Sequence, residues 1–518
     1  MLSLGYALGS VLLAIVVLRL GATLSLRRRR KGLPYPPGPK GKPIIGNALD
    51  IPITFQWLKA TEWRKTYGDI VYLDALGSRL LFLNSYEAAV DLMERRSTIY
   101  SGRPVLQMLN KLQNWEWSLS LMPYGDRWRK HTQVFHKFMD TGAVDQYRDM
   151  QTHEAIKLLG KFLESPQHFY EDIRTAIGAT VMMVSYGHEV ADRNDEFIEL
   201  AETSMNMIKK IVMPGAFLVD IIPALKYIPA WFPGAGFQKV AEEGRKLSND
   251  LQSRPYEAAK AQIKAGTAHN SITAKLLDDL MGKNITDIDE SFIQRIAAVV
   301  YIAGADTSVA VLLTFIVAML KNPEVQRRAQ EELDRVVGSD RLPTFEDKKH
   351  LPYINAIMLE CLRWMPVAPL GAPRTVTEDD VYNGYFIPKD TIIIMNAWSM
   401  FRDENLYHDP ESFKPERYLP GNGRNVEKDP STILFGFGRR RCPGRHFALN
   451  SIYITIACIL SAFRISNPVD PTGKEVEEEV EYEAGLVFHP VEFKCSIKPR
   501  SEKAAELVNQ AVDFHSHA

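Results

Sequence analysis

One loop constrains this chain more than any other stretch. Phe435-Gly436-Phe437-Gly438-Arg439-Arg440-Arg441-Cys442-Pro443-Gly444-Arg445 is rich in glycine and arginine, holds a single cysteine, and runs straight into an apolar helical segment from His446 to Phe463. Cysteine binds metal as the thiolate, an anion that needs nearby cations and helix-terminal amides to hold its charge. Cys442 has both, because arginines flank it and the helix that follows offers free N–H groups and a positive dipole end. Gly438 and Gly444 suit positions where the backbone turns sharply or lies against a flat ring, and Pro443 suits a first helical turn. The setting fits a thiolate beside haem iron. A structural cysteine in a basic loop is the competing reading.

A second stretch narrows the choice. From Ile296 to Leu320 the only charge is Asp306, and length alone would suggest a membrane span. The interruption Gly304-Ala305-Asp306-Thr307-Ser308 argues instead for a long buried helix, since an acid there is costly unless it works. Asp287, with Glu290 three residues on, is the expected helix start, and Asn322-Pro323 the end. A threonine hydroxyl bonding back to a carbonyl one turn earlier opens such a helix locally and leaves room for oxygen and water.

The spacing Phe-x-x-Gly-x-Arg-x-Cys-x-Gly resembles the cytochromes P450. The resemblance implies Cys442 as axial iron ligand, Phe435 packed near the sulfur, Arg440 on a haem propionate and Gly444 in the cofactor-binding loop. Ala303-Gly304-Ala305-Asp306-Thr307-Ser308 looks like the family's oxygen-activation motif, with Asp306 and Thr307 relaying protons. Asp126-Arg127-Trp128-Arg129-Lys130-His131 opens a basic helix that in the family lies on the haem with its tryptophan, here Trp128, touching a propionate. A basic residue commonly follows four positions later, whereas this chain has Thr132. Arg129, Lys130 and His131 are expected on the solvent face, where such a run of cations is usually just solvated; the alternative is that with Arg439, Arg441 and Arg445 it forms a patch for an acidic electron donor. Glu360 and Arg363 share a helix face. Such a pair is ordinarily a weak surface one, but its place in the chain matches the family's Glu-x-x-Arg, with Arg417 of Pro415-Glu416-Arg417-Tyr418 completing a buried ion network. Arg374, closing the apolar stretch from Val367, matches a propionate-binding arginine.

The rest of the chain adds limits. Among 518 residues, 46% are hydrophobic and 24% charged, and the net charge of −1 excludes a globally basic nucleic-acid binder. Cys361, Cys442, Cys458 and Cys495 are scattered without a Cys-x-x-Cys pair, which argues against zinc and against a disulfide framework. Thiols of this kind fit a reducing cytosol. Cys495, alternating with Val491, Phe493 and Ile497, is expected to face a core. Leu2 to Leu18 carries no charge and the apolar character runs on to Leu26, enough for an anchor. The basic cluster Arg27 to Lys31 keeps the following chain cytoplasmic, and Pro34 to Pro39 reads as a stiff spacer. Hairpins are expected at Asp69 to Asn84, turning at Gly77-Ser78, and at Val381 to Ile387, turning at Asn383-Gly384. Thr391 to Met395 reads as a further strand, and nearly all of Ser85 to Glu360 as helical. Trp115 and Trp117 either roof a cavity or pack in the core. Trp231 and Phe232 either dip into a membrane surface or cap a channel. Asn284-Ile285-Thr286 is a glycosylation sequon that this topology leaves unmodified.

The expected architecture is mainly α with a small β region, preceded by a single transmembrane helix: anchor 1–26, basic and Pro-rich linker 27–45, haem domain 46–505 and polar C-terminal tail 506–518. The resemblance implies a haem b monooxygenase of the endoplasmic reticulum membrane with its catalytic domain in the cytosol. Its implied partners are NADPH–cytochrome P450 reductase, with cytochrome b5 as a second donor, and membrane lipid. It is most similar to fungal microsomal enzymes of secondary metabolism. Apolar walls around 106–121, 205–218, 367–370 and 486–488 favour a hydrophobic terpenoid, polyketide or aromatic substrate. An isomerase of the same fold needs no proton relay, so the Asp306-Thr307 pair counts against it. A haem sensor or carrier would leave that pair without a purpose.

Overall fold

In the computed structural model, which describes residues 24–213, 215–282, 288–421, 425–470 and 472–516, the periodic segments form helices and the β-rich runs form short strands. The longer helices are α1 (Gln56–Tyr67), α2 (Asp126–Met139), α3 (Arg148–Glu164), α4 (Phe169–Tyr186), α5 (Glu196–Ile211), α6 (Phe237–Ala265), α7 (Ile272–Met281), α8 (Glu290–Lys321), α9 (Pro323–Val336), α10 (Pro352–Trp364), α11 (Arg445–Ala462) and α12 (Glu502–Ser516). The expected anchor lies almost wholly outside the described residues, as do the Asn284 sequon and Asp287.

The centre is α8. It is long and apolar enough to cross a bilayer, yet its flanks are buried against α4, α6, α10 and α11. Its start differs from expectation: Asp289 is the cap, its Oδ1 accepting from the Phe292 amide at 2.8 Å. Pro323, with no N–H to lose, opens α9 immediately after the break at Asn322. Residues Phe292 to Ile302 of α8 belong to one hydrophobic core, shared with α2, α5, α6 and α7. Val309 to Leu320 belong to another, shared with α3, α10 and α11. Each fully buried aliphatic side chain there contributes about 1.5–3 kcal/mol. The seam between the two cores falls at the polar interruption, where Ala303 is exposed although Ile302 and Val309 are buried.

Strands β1 (Ile70–Ala75) and β2 (Ser78–Leu83) form the first hairpin; its turn is Leu76-Gly77, one residue earlier than expected, with φ of 53° and 85°. With β3 (Arg374–Thr375) and β6 (Ile392–Met395) they make a sheet of order β1-β2-β6-β3, in which β2 and β6 run parallel. The second hairpin, β4 (Asp380–Tyr382) and β5 (Tyr385–Ile387), turns at Asn383-Gly384 as expected. Strand β7 (Phe463–Ser466) pairs with β10 (Ser496–Pro499), and β8 (Tyr482–Glu483) with β9 (His489–Pro490). Phe493 and Ile497 are buried and Cys495 half-buried, while Val491 is exposed, so the expected alternation holds only from Phe493 onward.

Two segments depart further. The proline stretch is no free spacer: Tyr35 stacks on Tyr72 with centroids 5.1 Å apart, and Pro37 and Pro34 carbonyls accept from the Tyr72 and Phe386 amides, each at 2.8 Å. The expected polar tail is instead the amphipathic α12, docked on α3 with Val508 fully buried.

Candidate active site

The cysteine loop is held by its own backbone. The Cys442 amide donates to the Phe435 carbonyl at 2.8 Å, closing a turn that needs φ of +76° at Gly436 and +52° at Gly438. A Cβ at Gly438 would stand 2.5 Å from the Met93 carbonyl oxygen, so glycine is required there twice over. Gly444 has ordinary φ and caps α11, and Pro443 precedes the helix rather than opening it. Burial pushes the Cys442 thiol up, while the Gly444 amide and the Arg445 charge work against that rise. Arg439 and Arg441 are turned elsewhere, to the Tyr124 hydroxyl at 2.8 Å and the Gly436 carbonyl at 3.3 Å, which leaves Arg445 as the nearby cation. Phe435 is half-buried at the edge of the core beside the loop.

Three arginines converge with no acid to meet them among the described residues. Arg374, 2% exposed, donates to the Met93 and Phe437 carbonyls at 3.1 and 2.6 Å. Arg440 donates to the Ser101 and Met122 carbonyls at 3.0 and 2.8 Å and lies 4.6 Å from the Trp128 ring. Arg103 donates to the Ala372 carbonyl at 2.8 Å, and its Nε is buried without a partner among the described residues. Burial lowers Arg103 to about 10. Burial and the Arg103 charge lower Arg374 to about 9, and the same two causes with Arg374 lower Arg440 to about 8. Buried like charges of this kind require an anion. The two propionates of a haem would supply it, and the residues present fit that group: Cys442 would hold the iron, and Arg103, Arg374, Arg440 and Trp128 the propionates. A haem bound there would supply the oxygen chemistry, with Cys442 as its thiolate donor. Arg103 escaped the sequence reading, although a lone cation between Tyr100 and Leu106 was visible.

The seam in α8 carries the motif residues. Thr307 Oγ1 donates to the Ala303 carbonyl at 3.0 Å, the back-bond expected from the sequence, on the side where Ala303 is exposed. Asp306 turns the other way and is 4% exposed. Its Oδ1 accepts from Arg174 at 3.3 Å, and its Oδ2 faces His489 Nε2 at 3.1 Å and Lys209 at 3.9 Å. Burial pushes this carboxyl up, but the His489 hydrogen bond and charge, with Lys209 and Arg174, outweigh burial and hold it down at about 2. Arg174 and Lys209 line a cleft of about 190 Å³ between α4, α5 and α8 that reaches Asp306. None of these three partners was anticipated, because each comes from a distant segment.

Glu360 and Arg363 on α10 are fully buried and pair twice, at 2.8 Å each. Arg417 Nε reaches both Glu360 oxygens at 3.1 Å and its Nη1 reaches Glu427 at 2.6 Å, while the Lys414 amide and Tyr418 hydroxyl also donate to Glu360. Arg363 donates to the Phe401 and Pro410 carbonyls at 3.1 and 2.7 Å, so the network fastens 401–418 to α10.

Helix α2 corrects one expectation. His131 faces inward, 2% exposed, its ring 4.3 Å from that of Phe292, because it follows Trp128 by three positions on the buried stripe that continues to Phe135 and Phe138. Burial, with the nearby Arg127, Arg295 and Lys130 charges, takes His131 down to about 4. Arg129 stays outside, over the Tyr124 ring at 5.5 Å, with Arg439 at 5.3 Å from the same ring. Trp115 and Trp117 stack at 5.2 Å and Trp117 Nε1 donates to Ser248, so they pack the core against α6.

A glycine-held cysteine loop, a cradle of arginines with no acid partner among the described residues, and a long buried helix broken by a polar seam are together the features of a haem-thiolate protein. The sequence matches the Cytochrome P450 family over residues 36–497, and the chain belongs to that family. It is 41% identical over 488 residues to the Cytochrome P450 monooxygenase COX2 of Coprinopsis cinerea, covering 94% of this chain and 93% of that protein. It is 39% identical to claR of Ampulloclitocybe clavipes over 98% of this chain and 93% of that one, and 39% identical to ple1 of Rhodocybe pseudopiperita over 96% of each. These relatives are fungal P450 monooxygenases, and the activity class of this chain is the same.

Proposed function

We propose that this enzyme inserts one atom of dioxygen into a hydrophobic small molecule of terpenoid, polyketide or aromatic type, in fungal secondary metabolism or xenobiotic oxidation, with electrons passed from NADPH by a membrane-bound P450 reductase. The observation that carries the reading is the seam in α8, where an ionised acid reached by a solvent cleft stands one residue from a hydroxyl on the open side. An acid and a hydroxyl so placed suit the inward passage of protons, which reductive use of oxygen requires and isomerisation does not. Apolar walls support the substrate class: Met108, Leu109, Val367 and Phe488 are buried, and the Phe488 amide binds the Val367 carbonyl at 2.9 Å. Exposed Arg129 and Arg439, sharing Tyr124, suit an acidic donor such as the reductase or cytochrome b5. Exposed Leu218, Tyr227, Trp231 and Phe232 suit the surface of the endoplasmic reticulum membrane, to which the apolar N-terminus would anchor a cytosolic domain.

The test is turnover of the full chain with reductase, NADPH and isotopically labelled dioxygen, on hydrophobic compounds selected by their shift of the haem absorption. One labelled oxygen atom in a product that needs NADPH is the expected result. Conversion of an organic hydroperoxide without reductase, and no labelled product, would favour the isomerase reading.

A further inference from the structure

His489 has no part in the chemistry described so far, and its placement calls for one. The ring is 4% exposed, and its Nδ1 is buried without a hydrogen-bond partner among the described residues. Its polar contact is Nε2 to Asp306 Oδ2 at 3.1 Å. A buried imidazole is costly unless it is satisfied, so the site keeps His489 for Asp306.

The three partners of Asp306 differ in rigidity. Arg174 and Lys209 are long side chains, each 24% exposed, that reach the carboxylate from the cleft. Arg174 is shared with Glu202 at 3.3 Å, and both cations can swing into water at the cost of a contact that is long already. His489 cannot. Its backbone is fixed on one side by pairing with Glu483, on the other by the Tyr170 hydroxyl on the Pro490 carbonyl at 3.2 Å, and just before it by the Phe488 amide on Val367.

We propose that His489 is a positioning residue for the monooxygenase reaction: it fixes the Asp306 carboxylate between the solvent cleft and the seam of α8 while Arg174 and Lys209 exchange with water. The proposal rests on the reading of Asp306 as the acid of the proton relay. The charged and titratable groups around the pair are Tyr170 and Arg174 from α4 and Glu202 and Lys209 from α5. Of these, Arg174 and Lys209 touch the Asp306 carboxylate.

The experiment uses the haem-loaded full chain with reductase and NADPH. His489→Phe is expected to slow NADPH oxidation roughly tenfold, less than the roughly 10²–10⁴-fold carried by a group that itself transfers the proton, and to raise the solvent isotope effect. Asp306→Asn should do the same, the double variant should be no slower than the worse single one, and His489→Gln, which restores an N–H donor, should recover most of the rate. An unchanged rate and isotope effect in His489→Phe, or effects that multiply in the double variant, would overturn the proposal. A second readout needs no turnover: in the reduced carbon monoxide complex, the His489 nitrogen resonance, assigned by its loss in His489→Gln, should move in Asp306→Asn. A resonance that stays put would contradict the contact itself. The carbon monoxide spectrum of each variant tests thiolate ligation separately, so loss of that spectrum would count against a positioning role and for a structural one.

Discussion

At the scale of single residues, this protein places charge where burial makes it expensive and then answers it. Glu360 meets Arg363 and Arg417 with every partner satisfied. Removing one member of such a set leaves the others uncompensated, so Glu360→Gln should lose about 3–5 kcal/mol in chemical unfolding; a loss below about 1 kcal/mol would mean that the pair is screened. His131 is the opposite case, an imidazole held neutral. Its ordinary value of 6.5 falls to about 4 in the fold. Between those values the unfolded chain takes up a proton that the folded one refuses, so this contribution to stability is full above 6.5 and is eroded as the pH falls toward 4. His131→Asn should therefore lose less melting temperature than the wild type between pH about 7 and about 5, and equal losses would place His131 outside the fold's acid sensitivity. The sequence showed His131 only as one of a run of cations. Its inward face follows from its three-residue offset from Trp128, a cue weaker than the charge around it.

At the scale of elements, α8 was the most legible part of the chain because a long apolar run with a polar break has few ways to fold. Its start was less so, since Asp287 and Asp289 are equally good caps by type; in the fold the Phe292 amide donates to Asp289 Oδ1, and Asp287 lies outside the described residues. Asp289→Ala should cost about 1 kcal/mol in thermal or chemical unfolding, whereas no loss would mean that the first turn is held by packing alone. Hairpins were legible for a similar reason: Asn383-Gly384 and Gly77 supply the positive φ that two-residue turns demand.

At the scale of the whole molecule, what could not be read was assembly from separate segments. The family resemblance brought Arg374 and Arg440 together but not Arg103, which joins them from a third part of the chain, and His489, Arg174 and Lys209 likewise converge on Asp306 from distant segments. Nothing local marks such meetings; they exist only once the two cores on either side of the α8 seam have packed. The C-terminal helix also belongs to this scale, because its sequence is polar enough to pass for a tail while one face docks on α3. Val508→Asp, which puts a charge in that contact, should destabilise the protein by on the order of 3 kcal/mol in thermal unfolding, and an unshifted melting temperature would show that α12 is dispensable. If Cys442 is the thiolate ligand of a haem whose propionates the arginine cradle holds, the reduced carbon monoxide difference spectrum of the purified chain beside Cys442→Ala will report it. The long-wavelength Soret band of thiolate-bound haem is expected in the wild type and lost in the variant; a short-wavelength band in freshly folded wild type, or a long-wavelength band that survives the substitution, would rule thiolate ligation by Cys442 out.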